Sequence, residues 1–246
     1  MSMVEKSWLV LDAFRPEGGP LRLDELAARA GLPRSTVHRL LTRLVAVGGV
    51  ERSPEGFHLG RKLFELGAVV PQERGLREAA LPFMQDLYIA THEAVHMGVM
   101  DERDVVYVEK IYGHAAFAMP SRIGGRLPLA CTAIGKAMLA FADPEVIAGV
   151  LGAPLPRVAG EKVVVDPKEL AGALAEVRAT GIAYEYEEVQ LGGCSLAAPV
   201  FQRGRVAAAL SVAVPVERFQ PVRLAPAVKT AALGLSRVLG RQPRLV

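Results

Sequence analysis

Cysteine is scarce in this chain. Two occur in 246 residues, Cys131 and Cys194, without metal-type spacing. That disfavours a disulfide framework and fits a reducing cytoplasm. No apolar run approaches the ~18 residues of a membrane span. The N-terminus lacks a basic region followed by an apolar one, so neither a membrane nor a secretory address is expected. Low-complexity segments and repeats are missing, and 51% apolar residues argue against disorder. There is no nucleophile elbow, phosphate loop or base–nucleophile pair, which weakens an enzyme reading. Charge excess is small, +3 with a pI near 9.0, so any case for an anionic partner must rest on local placement. One local absence does this: no carboxylate occurs from Leu26 to Val50.

That acid-free stretch lies inside residues 21–60, LRLDELAARAGLPRSTVHRLLTRLVAVGGVERSPEGFHLG. Asp24 and Glu25 suit the positive end of a first helix, with Leu26, Ala27 and Ala30 as its core side. Gly31 permits a turn, and Pro33 suits the first turn of a second helix. Apolar residues then fall at Val37, Leu40, Leu41, Leu44 and Val45, the stripe of a helix packed on a core. The opposite arc holds Ser35, Thr36, His38, Arg39, Thr42 and Arg43. Solvated faces usually mix signs. A face of cations, hydroxyls and an imidazole suits a DNA groove, where Arg forks onto guanine or phosphate and hydroxyls serve base or backbone. Gly48-Gly49 ends this helix. Two short strands then flank Ser53-Pro54-Glu55-Gly56, completing a winged helix-turn-helix over 1–60. Arg34 is expected to meet phosphate, and Arg52 in the wing to lie over the backbone or minor groove. Upstream, Val4, Trp8 and Leu11 mark a first helix, with Trp8 read as a core or dimer contact.

Residues 61–76 read as a helical linker, interrupted at Pro71 and Gly75, and 77–246 as a second domain. Its strand candidates are Ala94–Met100, Val105–Ile111, Ile182–Glu188, Leu196–Gln202 and Val206–Val214. Its helices are Leu76–Thr91, Ala133–Phe141, Pro144–Leu151 capped by Asp143, Asp166 to Gly181, and Leu224–Leu239. Helices beside a largely antiparallel sheet give an α+β sensor domain.

Residues 21–67 together with GRLPLACTAIGKAMLAF (125–141) and GIAYEYEEVQLGGCSLAAPVFQRGRVAAALSV (181–212) resemble bacterial transcription regulators of the IclR family, in the right order along almost the whole chain. The resemblance implies a winged-helix DNA-binding domain, a helical linker and a GAF-like effector-binding domain. It also implies homodimerisation through the N-terminal domains, and often a dimer of dimers. It implies a pocket for a small organic or aromatic acid at the loop Thr132-Ala133-Ile134-Gly135, where a helix N-terminus favours an anion. Met119, Leu127, Glu185, Cys194, Ser195 and Ser211 would form the facing wall. Ala130 stands where many members have His, and Ala213 where a serine is common, so no particular ligand is carried over.

The residues themselves leave plainer roles open. Cys131 and Cys194 suit small buried hydrophobes. Lys136 suits either a carboxylate partner or solvent. Glu185 and Glu187 share one strand face, which suits a solvated edge. His92 and His96 have zinc-like spacing, but the second lies on a strand and no third ligand is near; no metal and no other cofactor are expected. The reading is a cytoplasmic, sequence-specific regulator in the repressor mode, binding operator DNA and a metabolite. The alternatives are an adaptor that uses the winged helix for dimerisation, and a small-molecule enzyme.

Overall fold

A computed structural model describes residues 1–15, 19–113, 120–155 and 166–241, the side chains of 71–74 excepted. The chain divides into two compact units, Met1–Arg74 and Gly75–Val246.

In the first unit, α1 (Met3–Asp12) starts at a capping box. The Ser2 hydroxyl accepts the Glu5 N–H at 3.2 Å, and the Ser2 N–H donates to the Glu5 carboxylate at 2.6 Å. α2 (Leu23–Ala30) begins where the Arg22 N–H reaches the Glu25 carboxylate at 2.7 Å. Gly31, at φ 63°, turns the chain into α3 (Arg34–Ala46). Pro33 stands one residue before the helix rather than in its first turn, and its carbonyl accepts the Thr36 and Val37 N–H groups. β1 (Val50–Ser53) and β2 (Gly56–Leu59) form the wing, and α4 (Arg61–Ala68) follows. Val10, Phe14, Leu26, Val37, Leu41 and Val50 make the core. Trp8 is 60% exposed, which removes it from that core.

The second unit is α+β. It contains all but the first four residues of α5 (Pro71–Thr91), then β3 (Ala94–Asp101), β4 (Asp104–Ile111), β5 (Arg126–Pro128), α6 (Ala133–Leu139), α7 (Pro144–Leu151), α8 (Pro167–Thr180), β6 (Ala183–Tyr186), β7 (Gly193–Gln202), β8 (Arg205–Pro215) and α9 (Pro221–Arg241). The helix from Arg61 ends at Ala68 and Pro71 opens α5, the break expected there; Gly75 lies within α5 and does not interrupt it, and proline is tolerated in a first turn because its missing N–H has no partner to lose.

The strands pair antiparallel in the order β5-β4-β3-β8-β7-β6. Alternation sends Leu210, Val212 and Val214 to one face, against Met84, Leu87, Val228 and Leu235 of α5 and α9. The other face carries Ala197 and Ala209 against Ile134, Met138, Leu170 and Leu174 of α6 and α8. β6 stops at Tyr186, earlier than Glu188: Glu187 takes φ 55°, and its carboxylate accepts the Gly192 N–H at 2.7 Å. Asp143 precedes α7 without a side-chain cap bond and instead pairs with Arg205 at 2.9 Å. Asp166 does cap α8, accepting the Lys168 N–H at 2.7 Å, and Gly181 closes that helix in the left-handed region.

Candidate functional site

The surface of α3 opposite its core stripe is solvent-facing. Ser35, His38, Arg39, Thr42 and Arg43 are exposed and Thr36 is half-buried, while Val37, Leu40 and Leu41 are buried. The Thr42 hydroxyl donates to the His38 carbonyl at 2.9 Å and keeps its acceptor lone pairs for a ligand. Arg34 is drawn back at 3.1 Å to Asp24 on α2; both groups are well exposed, so the pair is weak and leaves the guanidinium available. Arg52 lies over the Phe57 ring at 5.8 Å, its aromatic neighbour across the wing.

The second unit holds a narrow polar cavity that is partly open to solvent. Its floor is the middle of the sheet. His96 of β3 pairs with Ser211 of β8, and Ala213 pairs with Ser195 of β7. Tyr107 of β4, Ser121, Val189 and the start of α6 complete the walls. His96 Nε2 lies 2.8 Å from the Ser121 hydroxyl, and the His96 and Tyr107 rings meet edge-on at 5.6 Å. Burial, with Lys110 nearby, pulls His96 down to about 3, so it presents a neutral imidazole. Lys110 Nζ is held by the Ser121 carbonyl at 2.6 Å.

The roof begins at Thr132, whose hydroxyl accepts the Gly135 N–H at 2.9 Å and so takes one of the free donors of the α6 first turn. A Cβ on Gly135 would overlap the Leu129 carbonyl. Gly135 therefore serves close packing of α6 on the 3₁₀ turn Leu129–Cys131, and it does not line the cavity.

Behind Ser195 lies an ionic layer. Glu185 is fully buried, against the solvated edge expected for it. Its carboxylate accepts the Ser195 hydroxyl at 2.7 Å and the Glu188 and Val189 N–H groups at 2.7 and 3.2 Å. Burial still pushes its pKa up to about 7, the hydrogen bonds opposing the shift. Lys136 is also buried, ion-paired with Glu188 at 2.5 Å and bonded to the Tyr184 carbonyl at 3.3 Å. This settles its two open roles in favour of a carboxylate.

Of the expected pocket residues, Thr132, Ala133, Ile134, Ser195 and Ser211 meet around the cavity. Glu185 supports it through Ser195. Leu127 pairs with Val105 on the β5–β4 edge and does not line it. Cys194 shares strand parity with Leu196, which faces α5 and α9, and so projects from the other side of the sheet. Met119 lies outside the described residues. Burial raises both thiols to about 11, which keeps them protonated and unreactive near neutral pH. His96 lies on β3 and His92 in the turn between α5 and β3, and no cluster of three potential metal ligands occurs among the described residues.

Sequence reading missed the roles of Tyr107, Ser121 and Val189, and took His96 only as a metal candidate; Ala213, noted there as standing in for a serine, does line the cavity. A signal existed for part of this. His96, Ser195 and Ser211 are polar interruptions of apolar strands, all on the α6 side once the register is known.

Two family models match the chain: the IclR helix-turn-helix domain over residues 3–54, and the bacterial transcriptional regulator IclR C-terminal domain over 69–237. The chain belongs to the IclR family. It is therefore a transcriptional regulator with a helix-turn-helix DNA-binding domain and a C-terminal effector-binding domain. It is 34% identical to the regulator XynR of Escherichia coli, over 96% of both chains, and 36% identical to KdgR of the same organism, over 98% of this chain and 93% of that one. An IclR homologue from Microbacterium hydrocarbonoxydans, solved with 4-hydroxybenzoate, superposes with a TM-score of 0.88 at 31% identity, over 98% of this chain and 100% of that one. No helix among the described residues is long and apolar enough to cross a membrane.

Proposed function

We propose that this regulator represses its target by seating α3 in the major groove of an operator, and that a small organic acid in the second unit alters that affinity. The observation that carries the reading is the acid-free face of α3, where Arg39 and Arg43 stand exposed beside hydroxyls. Arg39, Arg43, Ser35, Thr36, His38 and Thr42 meet base edges. Arg34 and Arg52 meet phosphates. Repression is the direction suggested by the Escherichia coli transcriptional repressor IclR, 32% identical over 87% of this chain.

The effector is a small carboxylate, aromatic or aliphatic, held by Ser195, Ser211, Thr132 and the first turn of α6. A structural relative carries 4-hydroxybenzoate, which supports the class. Neutral His96 and Ser121 suit a hydroxyl or carbonyl at the far end of such a ligand. The domains run 1–60, 61–76 and 77–246, with the linker helix as the carrier of the effector's influence. The working form is a homodimer, which can pair again. Val4 and Trp8 on α1 and Phe64 and Leu66 on α4 are exposed apolar side chains that a second copy would cover. The protein acts by binding, without turnover, in the cytoplasm where its DNA is.

Fluorescence anisotropy on the chain's own upstream intergenic DNA tests this, against a scrambled duplex. The wild type binds the operator more tightly, and Arg39→Ala with Arg43→Ala removes the preference at about 1–3 kcal/mol per lost base contact. An intact preference in the double variant would reject the α3 assignment.

A further inference from the structure

α1 and α3 border a cleft lined by Met3, Lys6, Thr36, Arg39, Leu40 and Arg43 and partly open to solvent. Three of these residues are cations and none is an acid. Several other cations of the unit are engaged. Arg15 pairs with Asp12 and Arg34 with Asp24; Arg29 reaches the Arg15 carbonyl and Lys62 the Val47 carbonyl. The side chains of Lys6, Arg39 and Arg43 have no ion pair or hydrogen bond among the described residues. The adjacent acid on α1, Glu5, is turned to its own helix start, accepting the Ser2 N–H at 2.6 Å. Three cations around one cleft repel each other, and an anion placed there relieves the repulsion.

Helical geometry puts Lys6 in line with Met3 and buried Val10, three and four residues away, and roughly opposite the exposed Val4 and Trp8. Lys6 therefore belongs to the α3 side of α1. It does not sit on the apolar face available to a second copy.

We propose that Lys6 binds a backbone phosphate of the operator, so that α1 forms part of the DNA interface. This rests on the reading of α3 as the recognition helix. With α3 seated in the groove, the cleft, which Thr36, Arg39 and Arg43 of that helix line, would open beside the bordering strand. Charge complementarity and continuity with the Arg39–Arg43 flank commit the cleft to a phosphodiester. Of the remaining walls, Met3 and Leu40 offer no hydrogen bond, and the Thr36 hydroxyl serves a phosphate oxygen as readily as a base edge. The lysine ammonium is a compact charge on a flexible stem, suited to an unshaped phosphate contact. Its contribution is therefore the same on every sequence.

The test is anisotropy of full-length protein on operator and scrambled duplexes from about 50 to 300 mM salt, for the wild type, Lys6→Gln, Lys6→Met, Lys6→Arg and Arg43→Ala. Methionine keeps the apolar stem, which separates charge loss from lost packing. Both uncharged variants should weaken operator and scrambled binding by the same factor, about three- to five-fold per lysine engaged. The slope of log K against log salt should flatten by about 0.9 per lysine, with Lys6→Arg near wild type. Unchanged affinity and slope in the uncharged variants, while Arg43→Ala still narrows the operator preference, would overturn the role of Lys6 and leave the recognition face standing. A narrowed preference in the uncharged variants would overturn it too, making Lys6 a reader of bases. A wild type without salt-dependent binding would overturn both readings.

Discussion

The two functional regions of this molecule solve opposite problems. Under the proposed reading, the face of α3 keeps its polar groups in water until DNA arrives. Its chemistry is contained in one helix, at a period the sequence displays. Under the same reading, the cavity of the second unit binds through polar groups that have been taken out of water and supplied with partners. His96 leans on Ser121, Ser195 on Glu185, and Lys136 on Glu188. Those residues come from separate strands, turns and helices, so the cavity exists only through the fold. A surface site can thus be altered without touching stability, whereas every residue of the buried site carries both binding and folding.

The largest break in this contrast should come from Lys136→Met. It leaves the Glu188 carboxylate partly buried beside Glu185 without its cation. Breaking such a pair costs about 3–5 kcal/mol, and urea unfolding of the variant should show that loss. A loss under 1 kcal/mol would mean that Glu188 finds water at once.

Glu185→Gln sharpens the contrast through pH. The folded carboxyl titrates near 7, above its ordinary 4.5, so the folded state holds a proton that the unfolded state releases. Stability from this group is complete below about 4.5 and falls as pH rises to 7. Glutamine keeps acceptors for the Glu188 and Val189 N–H groups and can donate to Ser195, without the charge. The variant should gain on the wild type across that window, by on the order of 2–3 kcal/mol above pH 7. His96 acts in the other direction: its folded value near 3 lies below 6.5, so its penalty grows as pH falls through 6.5 toward 3. The two slopes oppose each other between 4.5 and 6.5, and Glu185→Gln should expose the His96 slope there. A variant whose pH profile parallels the wild type would contradict the account of Glu185.

Arg43→Ala should have the smallest effect on folding. Its side chain is exposed and unpaired, so the unfolding midpoint should move by less than about 0.5 kcal/mol while operator affinity falls. A destabilised Arg43→Ala would place this arginine in the scaffold.

The winged helix was legible because its signals are local: Gly31 between two amphipathic segments, the stripe from Val37 to Leu44, and a turn-rich wing. Most helices and strands of the second unit were legible for the same reason, Asp166 and Gly181 marking their helix at both ends. Glu185 was not. Strand alternation put it with Glu187, but β6 ends at Tyr186, and the turn that follows brings two N–H groups onto the Glu185 carboxylate. Cys194 was placed on the wrong face because register decides parity, and a single sequence does not contain register. Tyr107 and Ser121 reach the cavity from β4 and the segment before β5, through strand pairing that no local pattern announces.

The most direct test of the link between the two regions is a coupled titration. Small carboxylates, 4-hydroxybenzoate among them, are first scored by their shift of the melting temperature, and the best is titrated against operator-bound protein. The account predicts that it changes operator affinity by at least about five-fold, that operator changes its affinity by the same factor, and that Ser211→Leu, which fills the cavity, abolishes both. A ligand that still binds and still shifts operator affinity in Ser211→Leu would contradict the cavity as the effector site.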